Sequence, residues 1–131
     1  MRLLLDTGVW LWMIGASDRL SETAKAHLAD DGNELYLSAA AVWEVGIKHA
    51  AGKLRFTGDP TTQIPLYITR SGVQPLSVRV EHVLRAATLP PHHRDPFDRL
   101  MVAQALEDGL TLMTGDGRLA AYEVPVIDAR N

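Results

Sequence analysis

Short apolar runs alternate along the chain with longer stretches of helical spacing, and that alternation predicts its elements in order. Leu3-Leu4-Leu5 is a continuous apolar run ending at Asp6-Thr7-Gly8, the pattern of a strand buried on both faces and stopped by a turn. A short apolar stretch with Trp10 and Trp12 follows. Ser21-Glu22-Thr23-Ala24 caps and charges the first turn of a helix that runs past Leu28 and ends at Gly32. Leu35-Tyr36-Leu37 reads as a second strand, and Ser38 as the N-cap of a helix through Val42, Trp43, Val45 and Ile47 towards Gly52. Residues 60–70 are assigned a helix and residues 73–76 a short strand broken by Pro75. Val80, Val83, Leu84 and Ala87 fall at helical spacing, and Leu89-Pro90-Pro91 stops that helix because proline supplies no donor. Asp95-Pro96-Phe97-Asp98 reads as an N-cap, a proline at the first helical position and an acid in the first turn. The helix it opens is almost wholly apolar to Glu107 and closes at Gly109. Thr111 to Thr114 is a strand, Gly115-Asp116-Gly117 a turn, and Val124 to Ile127 an edge strand that tolerates Pro125. Strands alternating with helices predict an α/β three-layer sandwich around a mainly parallel sheet.

Composition narrows the class. A length of 131 residues fits a single domain over 1–131, and 47% apolar residues are enough for a compact core. The formal charge of -3 offers no global basic field to draw the chain onto a polyanion, so contact with nucleic acid requires a local basic patch or a metal. The absence of cysteine removes disulfide scaffolds, thiolate zinc sites and Cys nucleophiles together. Asp6 interrupts the opening leucines far short of a signal-peptide core or a membrane span, so a soluble, cytoplasmic protein is expected.

In open parallel sheets ligands bind outside the C-terminal ends of the strands, which gives weight to Asp6 and Asp116, each at such an end. Each is also explained as a turn former beside glycine. Glu44 lies on a helix that is apolar nearly all round and needs a partner there. That partner is either Lys48, four residues on, or a cation in the crevice. Asp98 opens a helix apolar enough to be buried, whereas Asp95 is explained by capping alone. Asp6, Glu44, Asp98 and Asp116 together form a set suited to a hard divalent cation, because such ions take several oxygen ligands and clustered carboxylates repel one another without one. Lys48, Lys53, Arg94, Arg99 and Arg118 are candidates for gripping a phosphate backbone. Adjacent histidines rarely converge on one ion, and no other His stands at a supporting short spacing, so His92-His93 is set aside as a zinc site. Trp10 and Trp12 are read as core or as a groove for a partner helix.

These residues carry a family resemblance. Leu3-Leu4-Leu5-Asp6-Thr7, Ser38-Ala39-Ala40-Ala41-Val42-Trp43-Glu44-Val45, the run from Leu89 through His93-Arg94-Asp95-Pro96-Phe97-Asp98-Arg99, and Thr114-Gly115-Asp116 follow one another in the order of PIN-domain ribonucleases of the VapC toxin type. The resemblance covers essentially the whole chain. It implies a Rossmann-like αβα fold and an endoribonuclease dependent on Mg2+ or Mn2+, with Asp6, Glu44, Asp98 and Asp116 as the catalytic and metal-holding acids. It also implies a homodimer that acts on RNA and is held in check by a VapB-type antitoxin. Asp95 is not one of the four acids by position. Gly8 stands where such relatives usually carry His, and Gly117 where a bulkier residue is common.

Other readings compete. Asp6-Thr7-Gly8 spells an aspartic-protease triplet, which would need an all-β homodimer. Asp6 as the nucleophile of an aspartyl-phosphate phosphatase lacks the customary second acid, because that position is Gly8. A catalytically degenerate RNA- or partner-binding module of the same fold is the non-enzymatic alternative.

Overall fold

The computed structural model describes residues 1–130. Its strands are β1 (Arg2–Leu5), β2 (Glu34–Ser38), β3 (Gln74–Leu76), β4 (Thr111–Thr114) and β5 (Val126–Asp128). Its α-helices are α1 (Thr7–Gly15), α2 (Glu22–Ala29), α3 (Ala39–Ala50), α4 (Pro60–Ser71), α5 (Val80–Thr88) and α6 (Pro96–Asp108), with 3-10 turns at Ser17–Arg19 and Gly117–Tyr122. The strands form one sheet in the order β3-β2-β1-β4-β5, and every neighbouring pair is parallel. This is the expected αβα sandwich, and it leaves no place for the all-β protease reading.

β1 is the middle strand because it is the most apolar. Leu3, Leu4 and Leu5 are fully buried, and Leu5 lies in register with Leu37 on one side and Met113 on the other. The chain works outward from β1 through β2 to β3, then returns to place β4 and β5 on the opposite side. The direction of winding therefore reverses at β1, and the crevice between the C-terminal ends of β1 and β4 is where such a sheet holds its ligand. Both proline-bearing strand ends fall at sheet edges: Pro75 is within β3, and Pro125 precedes β5 and gives its carbonyl to Leu112 N–H at 2.8 Å. There a missing amide hydrogen costs little.

Two segments depart from the pattern. The apolar stretch after Asp6 is a helix, not a turn, and Asp6 is its N-cap, accepting Val9 N–H at 2.8 Å. Thr7–Gly15 is apolar on nearly all sides, so it shows no polar face by which a helix could be recognised. Trp10 of this helix is fully buried, with its indole N–H on Ser71 Oγ at 3.1 Å, so it lines no groove; Trp12 is half-buried. α5 shows the opposite surprise. Its regularly spaced Val80, Val83 and Leu84 face solvent, at 71%, 50% and 64% exposure, and the fully buried residue on this helix is His82. A hydrogen-bonded trio explains the burial of a histidine there. His82 Nδ1 accepts Arg79 N–H at 2.9 Å, its Nε2 meets Asp108 at 3.0 Å, and Arg79 reaches the same carboxylate at 2.6 Å. The trio pins the start of α5 to the end of α6. Hydrogen bonds from Arg79 and His82 hold the Asp108 carboxyl below its ordinary range despite partial burial.

Candidate functional site

Four segments deliver five acids to the crevice. Asp6 ends β1, and its 8% exposure makes it a buried charge. Its Oδ1 caps α1 and its Oδ2 accepts the Thr114 hydroxyl from β4. Burial raises the Asp6 carboxyl and the charge of Glu44 adds to this, while the bonds from Thr114, Val9 and Gly115 work the other way. Asp6 therefore has a structural role that its place at a strand end did not suggest. Glu44, on α3, is 6% exposed, and of its two expected partners the structure shows Lys48. Its Oε2 pairs with Lys48 Nζ at 3.1 Å, and its Oε1 accepts the Thr7 hydroxyl at 2.5 Å beside Asp6.

Asp98 stands in the first turn of α6 and is pushed up to about 7, chiefly by burial and then by the charges of Asp95, Asp6 and Glu44, with His93 opposing. Among the described residues its carboxylate accepts no hydrogen bond, and His93 Nε2 lies 3.6 Å from it. Asp95 does what its position before Pro96 predicts, capping α6 by accepting Phe97 N–H at 2.8 Å and Asp98 N–H at 3.3 Å. Asp116, after β4, lies at the rim. The Arg118 guanidinium and then His93 hold its carboxyl far below the usual carboxylate range. Mutual electrostatics thus link Asp6, Glu44 and Asp98, while Asp116 joins them through His93.

His93 is the site residue that the sequence reading missed. Its Nδ1 accepts Asp95 N–H at 3.1 Å, and a backbone amide can only donate, so the ring proton is on Nε2. That N–H points to Asp116 Oδ2 at 2.9 Å. His93 Nε2 and carboxylate oxygens of Asp98 and Asp116 lie within 4.8 Å of one another. The tautomer makes His93 a donor to the acids in this arrangement. Adjacent histidines in sequence say nothing of this, because only one of the two rings turns inward; His92 is exposed and packs edge-on against Tyr122. The two threonines were equally silent: Thr7 and Thr114 come to matter because parallel strands β1 and β4 bring them to one crevice.

The expected cations separate into two groups. Lys48, Lys53 and Arg94 line a pocket of about 430 Å3 beside Glu44 and Asp95, with Phe97 as part of its wall. Arg99 is not available to a phosphate. Its guanidinium donates to the carbonyls of Ala86, Leu89 and Pro90 and to the Tyr122 hydroxyl, tying α6 to the end of α5. Arg118 is forked onto Asp116.

A cation fits this donor set. Asp6, Glu44 and Asp98 offer oxygen only, and burial first, then the charges of neighbouring carboxylates, raises the carboxyls of Asp6 and Asp98, although the ligand atoms that lie within 4.8 Å of one another are those of His93, Asp98 and Asp116. No helix among the described residues is long and apolar enough to cross a membrane.

Comparison with known proteins bears on the fold and the family. Ribonuclease VapC16 of Mycobacterium tuberculosis is 37% identical over 67 residues, a stretch covering 51% of this chain and 47% of the relative, so the match spans about half the length of that protein. The fold is similar to that of VapBC2 from Rickettsia felis bound to a fragment of its promoter DNA, with a TM-score of 0.73 at 12% identity over 97% of this chain and 98% of the other. VapBC-1 from nontypeable Haemophilus influenzae gives 0.70 at 16% identity, covering 98% of both chains. FitAcB from Neisseria gonorrhoeae gives 0.61 at 20% identity over 95% of this chain and 96% of the other. The PIN domain model matches residues 3–125, the span that carries every acid described above, and the chain belongs to the PIN domain family.

Proposed function

We propose that the chain is a metal-dependent endoribonuclease, the toxin of a VapBC-type pair, hydrolysing RNA phosphodiester bonds in the cytoplasm. The observation that carries this reading is the meeting of Asp6, Glu44 and Asp98 at the point where the sheet reverses its winding, with two of the three carboxyls raised by burial and by one another. Mg2+, or Mn2+ in its place, would be held by those acids, with Asp116 at the rim of the set. Bound there, such an ion supplies charge neutralisation for the phosphodiester and activation of water. The chain's own residues do the rest. Thr7 and Thr114 orient the carboxylates of Glu44 and Asp6. Lys48, Lys53 and Arg94 offer positive charge to a polyanion beside them, which an acidic protein needs locally.

The relatives supply the partner: their names describe VapBC complexes, and a VapB-type antitoxin is proposed here by that likeness. A homodimer has support within the chain. The outward stripe of α5 adjoins a hollow lined by Val83, Ala86, Ala87, Pro96 and Leu100, so a ridge and a recess stand side by side on one face. That arrangement suits a two-fold contact in which each copy fills the other.

The deciding experiment is incubation of purified protein with defined RNAs in Mg2+ or Mn2+, with EDTA and Asp98→Asn controls. Metal-dependent cutting that the variant lacks is expected. Cutting that persists in EDTA, or in Asp98→Asn at the wild-type rate, would refute the reading, and RNA binding without cutting would favour the degenerate module.

A further inference from the structure

We infer that Asp116 is a positioning residue, not a metal ligand: it holds the Arg118 guanidinium, beside that of Arg130, as an N–H donor for the RNA phosphate, leaving the cation to Asp6, Glu44 and Asp98. The inference rests on the nuclease reading above. It starts from the saturation of one carboxylate. Asp116 Oδ1 accepts Arg118 N–H at 3.1 Å and Arg118 Nε at 2.9 Å. Its Oδ2 accepts Arg118 Nη2 at 2.7 Å and His93 Nε2–H at 2.9 Å. An ionised carboxylate has about four acceptor positions, and all of them are taken by this chain. Joining a cation would require Asp116 to give up charge-assisted bonds, whereas Asp98, 3.6 Å from His93 Nε2, has its oxygens free of hydrogen bonds among the described residues.

The surroundings of Asp116 suit an anion better than a second cation. The Arg118 side chain is 74% exposed, and the fork uses Nε and one terminal nitrogen, so Nη1 takes no part in it. The same device recurs at the end of the neighbouring strand β5, where Arg130 forks onto Asp128 through Nε at 3.4 Å and Nη2 at 3.3 Å. The two forks are adjacent, since a Cβ placed on Gly117 would lie 3.7 Å from Arg130 Nη2. Two guanidiniums, each held by an acid two residues before it, thus stand side by side along the rim of the acidic crevice. Rigid, paired guanidiniums are the usual means of holding phosphate oxygens.

The test separates metal affinity from RNA affinity. Mn2+ binding is measured by calorimetry, and binding of a 2′-O-methyl RNA that cannot be cut is measured in EDTA. Both are applied to wild type, Asp98→Asn, Asp116→Asn and Arg118→Met, with circular dichroism melts as the check on folding. Asp98→Asn is expected to weaken Mn2+ by more than about a hundredfold, beyond the roughly 10–100-fold loss typical of residues that only orient a ligand, while Asp116→Asn and Arg118→Met stay within or below that range. Both of the latter are expected to weaken RNA about tenfold, and Arg118→Met, which removes a cation, is also expected to lower the salt dependence by about one counterion. Loss of Mn2+ by Asp116→Asn on the scale of Asp98→Asn overturns the inference. So does tighter Mn2+ binding by Arg118→Met, because it would show that Arg118 competes with the ion for a true ligand. If Asp116→Asn fails to fold, Arg118→Met decides alone, its side chain being at the surface. A wild type that binds Mn2+ yet cuts no RNA removes the nuclease reading and leaves the placing of the metal to be judged by the same affinities; a wild type that binds no Mn2+ overturns both.

Discussion

Single side chains at this site carry structural and chemical duties together, and substitutions must be chosen to separate them. Asp6 caps α1 and also faces the acids. Asparagine caps about as well as aspartate. Asp6→Asn is therefore expected to keep the fold, to melt no lower than wild type without metal, and to reduce RNA cleavage by orders of magnitude; melts with and without Mn2+ beside a cleavage assay check all three. Asp95→Asn should retain metal binding and most cleavage for the same capping reason, because Asp95 spends its carboxylate on two backbone amides. Asp98 gives a pH dependence. Its folded carboxyl is pushed up to about 7, above the ordinary 3.8 of a free aspartate, so between these two values the folded state holds a proton that the unfolded state has released. Stability of the metal-free protein then falls as pH rises through that window. Asp98→Asn removes the effect. The melting temperature of the variant is expected to match wild type near pH 4 and to exceed it by several degrees at pH 7.5, both in EDTA. Equal differences at the two pH values would contradict the assignment.

At the scale of elements, the helices are joined by polar side chains wherever apolar contact runs out. Arg99 is the clearest case, since one guanidinium satisfies three carbonyls at the end of α5 and in the loop that follows it. Arg99→Met leaves those acceptors without a partner and is expected to cost about 2–4 kcal/mol, read as a shift in the urea midpoint. Its loss should loosen the loop that carries His93 without removing any acid. The outward stripe of α5 belongs to the same scale. Val83→Glu should abolish a dimer in light-scattering measurements, with little change in the melt of the monomer. A wild type that is monomeric at all concentrations would show the stripe to have another use.

The whole molecule brings the site together by close approach of backbone, and Gly115 is where this is tightest. A Cβ there would lie 2.8 Å from Trp12 Cη2 and 3.3 Å from Arg130 Cγ. Gly115→Ala must therefore shift the Trp12 ring of α1 or the Arg130 side chain, at a cost of about 1–3 kcal/mol and with displacement of Asp116, measurable as a lower melting temperature and weaker RNA binding. The sequence by itself determined most of the architecture. The leucines of β1, the caps Ser21, Ser38 and Asp95, and the closing Gly109 are local signals, each acting within a few residues, and they survive folding unchanged. The four acids were legible as candidates because charge on an apolar helix or strand end is conspicuous in any context. Tertiary structure alone decided their differences. Whether a carboxylate is buried and unmatched like Asp98, or saturated by donors like Asp116, depends on which loop lies opposite: Arg118 is a local partner of Asp116, but His93, which takes its last acceptor position, comes from a separate segment of the chain. The helix after Asp6, the inward turn of His93 and the outward stripe of α5 were likewise hidden, because an apolar side chain or an imidazole carries no mark of the direction it will face. Direction is set by packing against elements distant in sequence, and packing is a property of the folded chain.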